Sequence, residues 1–363
     1  MPSDAASTLS LPDQVTLLLT TSPSPFHPQT TLIETVLASL RHSSGLEKCS
    51  LTVFFDGYKT SSNQRLKQGW VSDTLSKAYE EFYVAALDVL RQWVARKTGE
   101  EYLWSAEDVK VLAGPRLGIP AVMYTLKSTT TSHMPLRTIR AKENLGFALA
   151  VRAALQYVQT PYTLVLQHDW AFIHDVPVAE LVQLMIDNSS DVKYITFPSV
   201  RSLDYTHRKR HNDLPCSIPC AYSIPVTPLF FFYDKPHLCE SAHYKENIFG
   251  QKFFRRGDFI EDTYGQHMLN TIKAPKDVQG KLAAWKEFGT FMYYPDNGAT
   301  RILRHVNGRL GYLPEGQKEK WLSDGQHRQA ARAQRLAGKD DEDTDEEFDW
   351  DVVLLEEDEA NDN

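Results

Sequence analysis

Short apolar runs and an amphipathic segment alternate in the first part of the chain. The runs VTLLLT at residues 15–20 and LTVFF at residues 51–55 have the length and composition of buried strands. Between them, residues 29–41 carry apolar side chains at the spacing of one helical face. A strand, a helix and a second strand in this order predict a βαβ opening and therefore an α/β fold.

Residues 72–98 show the clearest helical pattern, with Ser72 or Asp73 as the N-terminal cap and Gly99 just after the last turn. The segment lies between the second strand and the next predicted βα element. We therefore expect a helix that is an insertion packed on the sheet and carries no chemistry of its own.

Weaker patterns follow in the second half. Residues 178–186 predict a helix, and the runs KYITF at 193–197 and LFFFY at 229–233 predict strands. Residues 200–247 are otherwise rich in Pro, His and aromatic side chains with little periodicity, which is typical of a binding surface. Residues 100–135 show no clear pattern.

Residues 142–175 organise the rest of the chain. They contain an Asn-Leu-Gly-Phe segment, a predicted helix, and an apolar run, TLVL, that leads directly into Gln167-His168-Asp169-Trp170. The carboxyl ends of strands in open α/β sheets border the crevice where ligands bind. Asp169 is therefore the first candidate for chemistry.

Composition and charge describe a globular body with a charged end. The chain has 363 residues and 42% hydrophobic content, enough to bury a large core. Residues 340–363 contain 14 Asp or Glu and no Lys or Arg, so the net charge of −8 becomes +6 without them. A mildly basic body suits a ligand that bears phosphate.

We expect a soluble, cytoplasmic protein that does not use a membrane. No run approaches the roughly 18 apolar residues that a membrane span needs, and residues 1–14 lack the features of a signal peptide. Four cysteines in a chain of this size give no disulfide framework.

The order of the motifs resembles one family. It runs from a strand followed by TSPSP, through a strand ending in Asp56-Gly57, an Asn-Leu-Gly-Phe-Ala-x-Ala helix and a strand ending in a short acidic motif, to a late Glu-Asp pair. This order resembles the nucleotide-sugar glycosyltransferases of the GT-A fold, nearest the family-2 group, over about residues 15–310. The resemblance implies a Rossmann-like α/β fold with a mixed central sheet and flanking helices. It also implies transfer of a sugar from a nucleotide donor, expected to be UDP-linked, to a hydroxyl acceptor.

The resemblance also implies a division of the chain. Residues 15–313 would form a single domain, with the donor side at about 15–175 and the acceptor side at about 176–313. Residues 1–14 and the acidic tail at 339–363 would be disordered, and residues 314–338 would be a linker with a basic helix. The apolar residues within the tail suggest a motif that binds a protein partner or folds back on that helix.

In the resembled family the strand-end motif is Asp-x-Asp and holds a divalent metal, Mn²⁺ or Mg²⁺, against the nucleotide diphosphate. This chain has Gln167-His168-Asp169 there, so only the second carboxylate is kept. The resemblance makes Asp169 a metal ligand, and places His305 where some members supply a late histidine. The alternatives are that Asp169 only caps a turn and that His305 is held structurally.

Other site residues follow from the same resemblance. Asp262 would be the base that removes the acceptor proton, with Glu261 as the alternative, and both could instead cap the following helix. The residues expected to bind the donor are Thr20, Thr21, Ser22, Asp56, Asn144, Gln167 and His168. Of these, Asn144 is also expected to be the N-cap of its helix.

Three alternatives stay open. His207, His211, Cys216, Cys220, His237, Cys239 and His243 lie close in sequence, and a zinc site there is the less favoured interpretation. The basic residues at 201 and 207–211 could contact an anionic acceptor, even nucleic acid, although a solvated loop is the commoner explanation. The chain could also be a non-catalytic scaffold, an interpretation that the missing carboxylate at Gln167 favours.

Overall fold

The computed structural model describes residues 9–23, 28–62, 69–99, 104–111, 122–129, 135–203, 205–207, 222–250 and 254–306. Contacts divide the chain into two units, Met1–His305 and Val306–Asn363. The described part of the second unit is Val306. The predicted basic helix at 326–338 and the acidic tail therefore lie outside the described residues.

The described strands are β1 (Val15–Thr21), β2 (Ser50–Phe55), β3 (Lys59–Thr60), β4 (Trp70–Val71), β5 (Trp104–Val111), β6 (Val122–Thr129), β7 (Leu136–Ala141), β8 (Tyr162–Gln167), β9 (Trp170–Phe172), β10 (Tyr194–Thr196), β11 (Val226–Pro228), β12 (His237–Glu240), β13 (Thr290–Tyr293) and β14 (Leu303–His305).

The described α-helices are α1 (Leu11–Gln14), α2 (Thr31–Ser39), α3 (Asp73–Thr98), α4 (Phe147–Leu155), α5 (Val178–Asp187), α6 (Ser241–His243), α7 (Gln266–Lys273) and α8 (Val278–Phe288). Two π-helical turns, Tyr244–Ile248 and Glu261–Gly265, follow α6 and precede α7. Short 3₁₀ turns lie at Leu40–His42, Leu46–Lys48, Val200–Ser202, Tyr205–His207 and Pro295–Gly298. Every described helix is too short or too polar to cross a membrane.

The main sheet has the strand order β11-β13-β10-β12-β8-β1-β2-β7-β6-β5 among the described residues. The four central strands β8, β1, β2 and β7 are parallel, and antiparallel strands lie on both sides of them. Two small sheets, β9 with β14 and β3 with β4, stand apart. The α/β class and the mixed central sheet that the sequence predicts are therefore confirmed.

The apolar runs become the centre of this sheet. All seven residues of β1 are buried, as are the first five residues of β8 and the last five of β2. Parallel strands covered on both faces need such continuous apolar stretches. Helix α4 packs on β1 and β2.

The helices predicted at residues 29–41, 72–98 and 178–186 are also confirmed. Ser72 caps α3 by accepting a hydrogen bond from the backbone N–H of Leu75 at 3.2 Å, and Gly99 ends the helix with φ 72°. The rings of Phe82 and Tyr83 in α3 lie 6.4 and 5.1 Å from that of Phe55 at the end of β2, so the insertion packs on the sheet as expected. Helices α2 and α5 and strand β10 lie where the pattern predicts them.

The predicted strand at residues 229–233 is wrong. The strand in this region is β11, which ends at Pro228, and the LFFFY run forms bends. Its side chains fill separate places in the core: Phe230 packs on Trp285, and Phe232 packs on Tyr194 and Tyr264. The run is apolar because most of its side chains are buried in the core. Its apolar and polar residues do not alternate as they would in a half-buried strand.

Strands β5, β6 and β7 were not predicted. In β7 the charged side chains of Arg137 and Arg140 interrupt the apolar pattern. The guanidinium of Arg137 lies 5.2 Å from the ring centroid of Tyr157, and that of Arg140 lies 4.3 Å from that of Tyr83. Aromatic faces stabilise the two cations within the fold, so β7 does not need a continuous apolar run.

Two chain segments, one at Gly146 and one at Gly257, pass close to each other where α4 begins. Gly146 has φ 82° and ψ 170°, a conformation that is essentially limited to glycine. A Cβ atom at Gly146 would lie 2.5 Å from the Cα of Gly257. The backbone N–H of Gly257 donates to the carbonyl oxygen of Leu145 at 2.8 Å. The close approach of these two segments therefore depends on the absence of a side chain at Gly146.

We predict that Gly146→Ala lowers the free energy of unfolding by about 3 kcal/mol or more, because backbone strain and a steric clash add together. The control is Gly99→Ala, which also has a positive φ but meets no atom within 4 Å. Urea unfolding of both variants measures the difference. If both variants lose the same free energy of unfolding, the steric clash at Gly146 does not contribute to stability.

Candidate active site

Three parallel strands end at one edge of the sheet. Thr20 of β1 is in register with Gln167 of β8 and with Phe54 of β2. Beyond the strands, the N–H of His168 donates to the carbonyl oxygen of Thr20 at 3.0 Å, and the N–H of Asp56 donates to that of Thr21 at 3.2 Å. The structure thus brings together the segments that the sequence singles out.

The residues after β1 differ in exposure. Thr20 and Thr21 are buried, and the hydroxyl of Thr20 donates to the carbonyl oxygen of Leu166 at 3.3 Å. Ser22 is exposed at the edge. All three residues are predicted to contact the nucleotide-sugar donor, and Ser22 is the one whose side chain is accessible.

Asp56 fastens the start of α4 to the end of β2. One carboxylate oxygen accepts from the N–H groups of Gly57 at 2.9 Å and Leu145 at 2.7 Å. The other accepts from Gly146 N–H at 2.9 Å and from the Asn144 side-chain amide at 2.8 Å. Burial raises the pKa of this carboxyl to about 7, although the three backbone N–H groups act to lower it. These bonds give Asp56 a structural role, and its contact with a nucleoside stays a prediction.

The prediction that Asn144 caps α4 is wrong. The helix begins at Phe147, and the N-cap position is occupied by Gly146, which has no side chain to accept a hydrogen bond. Asn144 instead donates to Asp56 and to the carbonyl oxygen of Gly57. The Asn144 side chain therefore connects the segment before α4 with the end of β2, and it does not cap the helix.

Asp169 and His305 form a pair at the same edge. Asp169 directly precedes β9, and His305 ends β14, which pairs with β9 in antiparallel fashion so that His305 lies opposite Trp170. The His305 Nε2 atom is 3.2 Å from Asp169 Oδ2. The rings of His305 and Trp170 meet edge to face with their centroids 5.0 Å apart.

The environment of Asp169 keeps it ionised. Burial acts to raise the pKa of this carboxyl, but the charge and hydrogen bond of His305, with a contribution from His168, hold it well below its usual range. Its Oδ1 atom is buried and has no hydrogen-bond partner among the described residues. An ionised carboxylate with one such oxygen, beside an imidazole, is a donor set that could hold a divalent cation.

Gln167 makes a hydrogen bond to another segment of the chain. Its side-chain amide donates to the backbone carbonyl oxygen of Asp234 at 2.7 Å. An Asp side chain at position 167 has no N–H to make this bond and would bring its oxygens towards another oxygen. The structure therefore accounts for an amide at position 167.

The Glu261–Asp262 pair lies in the π-helical turn before α7. Glu261 Oε2 accepts from the backbone N–H of Asp234 at 3.0 Å, and no side chain caps the start of this turn. Burial raises the pKa of both carboxyls, and the charge of Asp258 raises that of Asp262 further. Asp262 is exposed, and none of the described residues bonds its carboxylate.

Sequence reasoning did not single out Asp234, which contacts both Gln167 and the Glu261 turn. It is almost fully buried, with 4% of its surface exposed. The available signal was an acidic residue that directly follows the apolar LFFFY run. Nothing in the local pattern indicated its partners.

The residues proposed for zinc do not assemble in the described part of the chain. His211, Cys216 and Cys220 lie outside the described residues. His237 is buried, with Nδ1 2.6 Å from the carbonyl oxygen of Lys235 and Nε2 3.2 Å from the Tyr244 hydroxyl. No group of three or more His, Cys, Asp or Glu that could hold a metal occurs among the described residues.

Comparisons with known proteins return structures only. No model of a known family matches the chain, and no curated protein matches it. Similar solved structures include S. aureus TarS 1–349, at 9% identity and TM-score 0.37 over 81% of this chain and 60% of that one. The same TarS fragment in complex with UDP-GlcNAc has 9% identity and TM-score 0.36, over 86% and 65%. The mannosyltransferase PcManGT from Pyrobaculum calidifontis, in complex with GDP-Man and Mn²⁺, has 11% identity and TM-score 0.37, over 91% and 66%.

The chain thus spans about 60% of the length of the first of these structures. The last two of these structures are complexes with nucleotide sugars. Likenesses with such TM-scores are too slight to assign an activity. The chain's own residues must therefore carry the assignment.

We predict that Asp56→Asn lowers the free energy of unfolding by about 1–3 kcal/mol, because the new amide group must face an N–H donor instead of accepting from it. Asp88→Asn is the control, since Asp88 is an exposed partner of Arg91 on the surface of α3. Urea unfolding compares the variants. If Asp56→Asn is as stable as the control, the proposed structural role of Asp56 fails.

Proposed function

We propose that the chain is a glycosyltransferase that moves a sugar from a nucleotide donor, expected to be UDP-linked, to a hydroxyl acceptor. The observation that carries the proposal is the pair formed by Asp169 and His305 at the carboxyl edge of the parallel strands. His305 holds the pKa of the Asp169 carboxyl below its usual range, and the buried Oδ1 atom of Asp169 lacks a hydrogen-bond partner among the described residues. Open α/β sheets bind nucleotides at this edge.

Asp169 would hold a divalent cation, Mn²⁺ or Mg²⁺, and His305 would join it in the neutral form, which is the form of imidazole that binds metals. Carboxylate oxygen suits both cations, and such sites often have one or two protein ligands, with substrate phosphate and water completing the coordination. When bound, the cation would neutralise charge that develops on the departing nucleotide diphosphate.

Asp262 is proposed as the base that removes the proton of the acceptor hydroxyl, which corresponds to an inverting reaction. Glu261 is the alternative, but its Oε2 already accepts from Asp234 N–H. Asp262 is exposed and has a raised pKa. A raised pKa makes a carboxylate a stronger base once it has lost its proton.

The donor would lie along the three strand ends, with Ser22 and His168 as contacts. The acceptor would approach from the side of the Glu261–Asp262 turn, and a glycan, a protein or a small molecule with a hydroxyl fits this proposal. The TarS and PcManGT complexes contain UDP-GlcNAc and GDP-Man, which makes both nucleotides the first candidates to test.

A non-catalytic scaffold is the second candidate. It is favoured by Gln167, which supplies no carboxylate and whose amide is committed to Asp234. On this alternative, the same fold would bind no nucleotide sugar. Nucleotide binding therefore separates the two candidates.

We predict that the wild-type chain binds UDP or GDP more tightly with Mn²⁺ than without it. Asp169→Asn should weaken this binding at least about tenfold, because a charged contact contributes about 1.5–3 kcal/mol. Calorimetric titration measures both effects. Asp175→Asn, at an exposed residue on the same segment, is the control. No binding by the wild-type chain would support the scaffold, and unchanged binding by Asp169→Asn would place the cation elsewhere.

We predict that Asp262→Asn lowers kcat by about 10²–10⁴-fold and leaves donor binding intact, since positioned bases contribute rates of this size. In the wild type, kcat should rise as the pH passes through the raised pKa of Asp262, because the base works only after it loses its proton. Asp277→Asn, at the N-cap of helix α8, is the control. A larger loss in Glu261→Gln than in Asp262→Asn would transfer the role to Glu261.

A further inference from the structure

Asp234 and the Glu261 turn hold each other by two reciprocal hydrogen bonds. The Asp234 carboxylate, through Oδ2, accepts from the backbone N–H of Ile260 at 3.0 Å. In return, the backbone N–H of Asp234 donates to Glu261 Oε2 at 3.0 Å. Each segment thus satisfies a backbone donor of the other. We call this arrangement the Asp234 clasp.

The clasp extends to the strand that carries the candidate metal ligand. The backbone carbonyl of Asp234 accepts from the side-chain amide of Gln167, the last residue of β8. Asp169 follows Gln167 by two positions. One residue, Asp234, therefore connects the end of β8 with the turn that carries Asp262.

The surroundings of Asp234 favour a neutral carboxyl. Burial, followed by the nearby charge of Glu261, raises its pKa well above the usual range, and the charge of Asp262 acts in the same direction. The phenols of Tyr194 and Tyr244 also lie close enough to interact with it. Its Oδ1 atom is buried with no hydrogen-bond partner among the described residues. Asparagine should therefore replace Asp234 well, because its carbonyl oxygen can accept from Ile260 N–H without a charge.

We propose that Asp234 is a positioning residue for the transfer reaction, and that the clasp holds the Glu261–Asp262 turn at a fixed place relative to the β8 end. The inference rests on the proposed function. Asp234 is buried and would not touch the substrate itself. It would act by fixing the positions of the turn that carries Asp262 and of Gln167. A displacement of about 1 Å at a reacting group can cost about 10²-fold in rate, which is why such a clasp matters for kcat.

The test compares Asp234→Ala with Asp234→Asn in the full chain. The alanine variant loses the bond to Ile260 N–H, and the asparagine variant can keep it. Asp277→Ala is the matched control, because Asp277 caps α8 by accepting from Gly280 N–H at 2.8 Å and lies in no part of the clasp. All three variants are measured for kcat, for KM of the nucleotide sugar that the wild type uses, and for hydrogen exchange of backbone amides.

The expected result for Asp234→Ala is a fall in kcat of about tenfold to 10²-fold with little change in KM, and faster exchange of the Ile260 amide. Asp234→Asn should restore kcat to within about threefold and should restore the protection of Ile260. Asp277→Ala should change neither quantity. A merely structural role would not give this combination, since the control also loses a helix cap.

Two outcomes would overturn the proposal. The first is an Asp234→Ala variant that folds, loses the protection of Ile260 and keeps the wild-type kcat. The second is an Asp234→Asn variant with as low a kcat as Asp234→Ala, since the clasp would then need the acid itself. If the wild type turns over no nucleotide sugar, the proposed function fails and the positioning role fails with it. The exchange of Ile260 would still show whether the clasp exists.

Discussion

The site depends on how three fully or partly buried carboxyl groups find partners at one edge of the sheet. The parallel strands β1, β2 and β8 end together there, and the chain that follows them carries Asp56 and Asp169, while Asp234 meets the end of β8 through Gln167. A buried carboxylate without partners costs several kcal/mol, so each one must be satisfied or neutralised. Each of the three finds a different solution.

The three acids therefore have different roles. Asp56 accepts four N–H groups and fastens the start of α4, and Asp234 accepts from Ile260 and has a raised pKa because of burial and Glu261. Asp169 is the acid whose pKa is lowered, because His305 lies beside it. A carboxylate with a lowered pKa at the carboxyl edge of the parallel strands is suited to a cation, whereas the other two acids hold backbone segments in place. An amide at Gln167 fits this architecture, since the side-chain N–H donates to the backbone carbonyl oxygen of Asp234.

The sequence predicts the centre of the fold well. The apolar runs of β1, β2 and β8, and the capped helix α3, follow from local patterns that depend on burial and on hydrogen bonds within a few residues. Prediction fails where distant contacts decide the local structure. The LFFFY run packs into several parts of the core, and β7 contains arginines that stack on aromatic rings. The Asn144 side chain donates a hydrogen bond to Asp56 and does not cap its own helix. Asp234 could not be found because its partners are 26, 27 and 67 positions away.

The central claim is that one carboxylate and His305 hold a cation at the end of β8. Its most direct test is an anomalous difference map from crystals of the wild-type chain grown with Mn²⁺ and UDP or GDP. The account predicts a manganese peak in coordination distance of both Asp169 and His305, with phosphate oxygens as further ligands and Gln167 still bonded to Asp234. A nucleotide bound at this edge with manganese absent from Asp169, or with manganese held by Asp234 and Glu261, would contradict it.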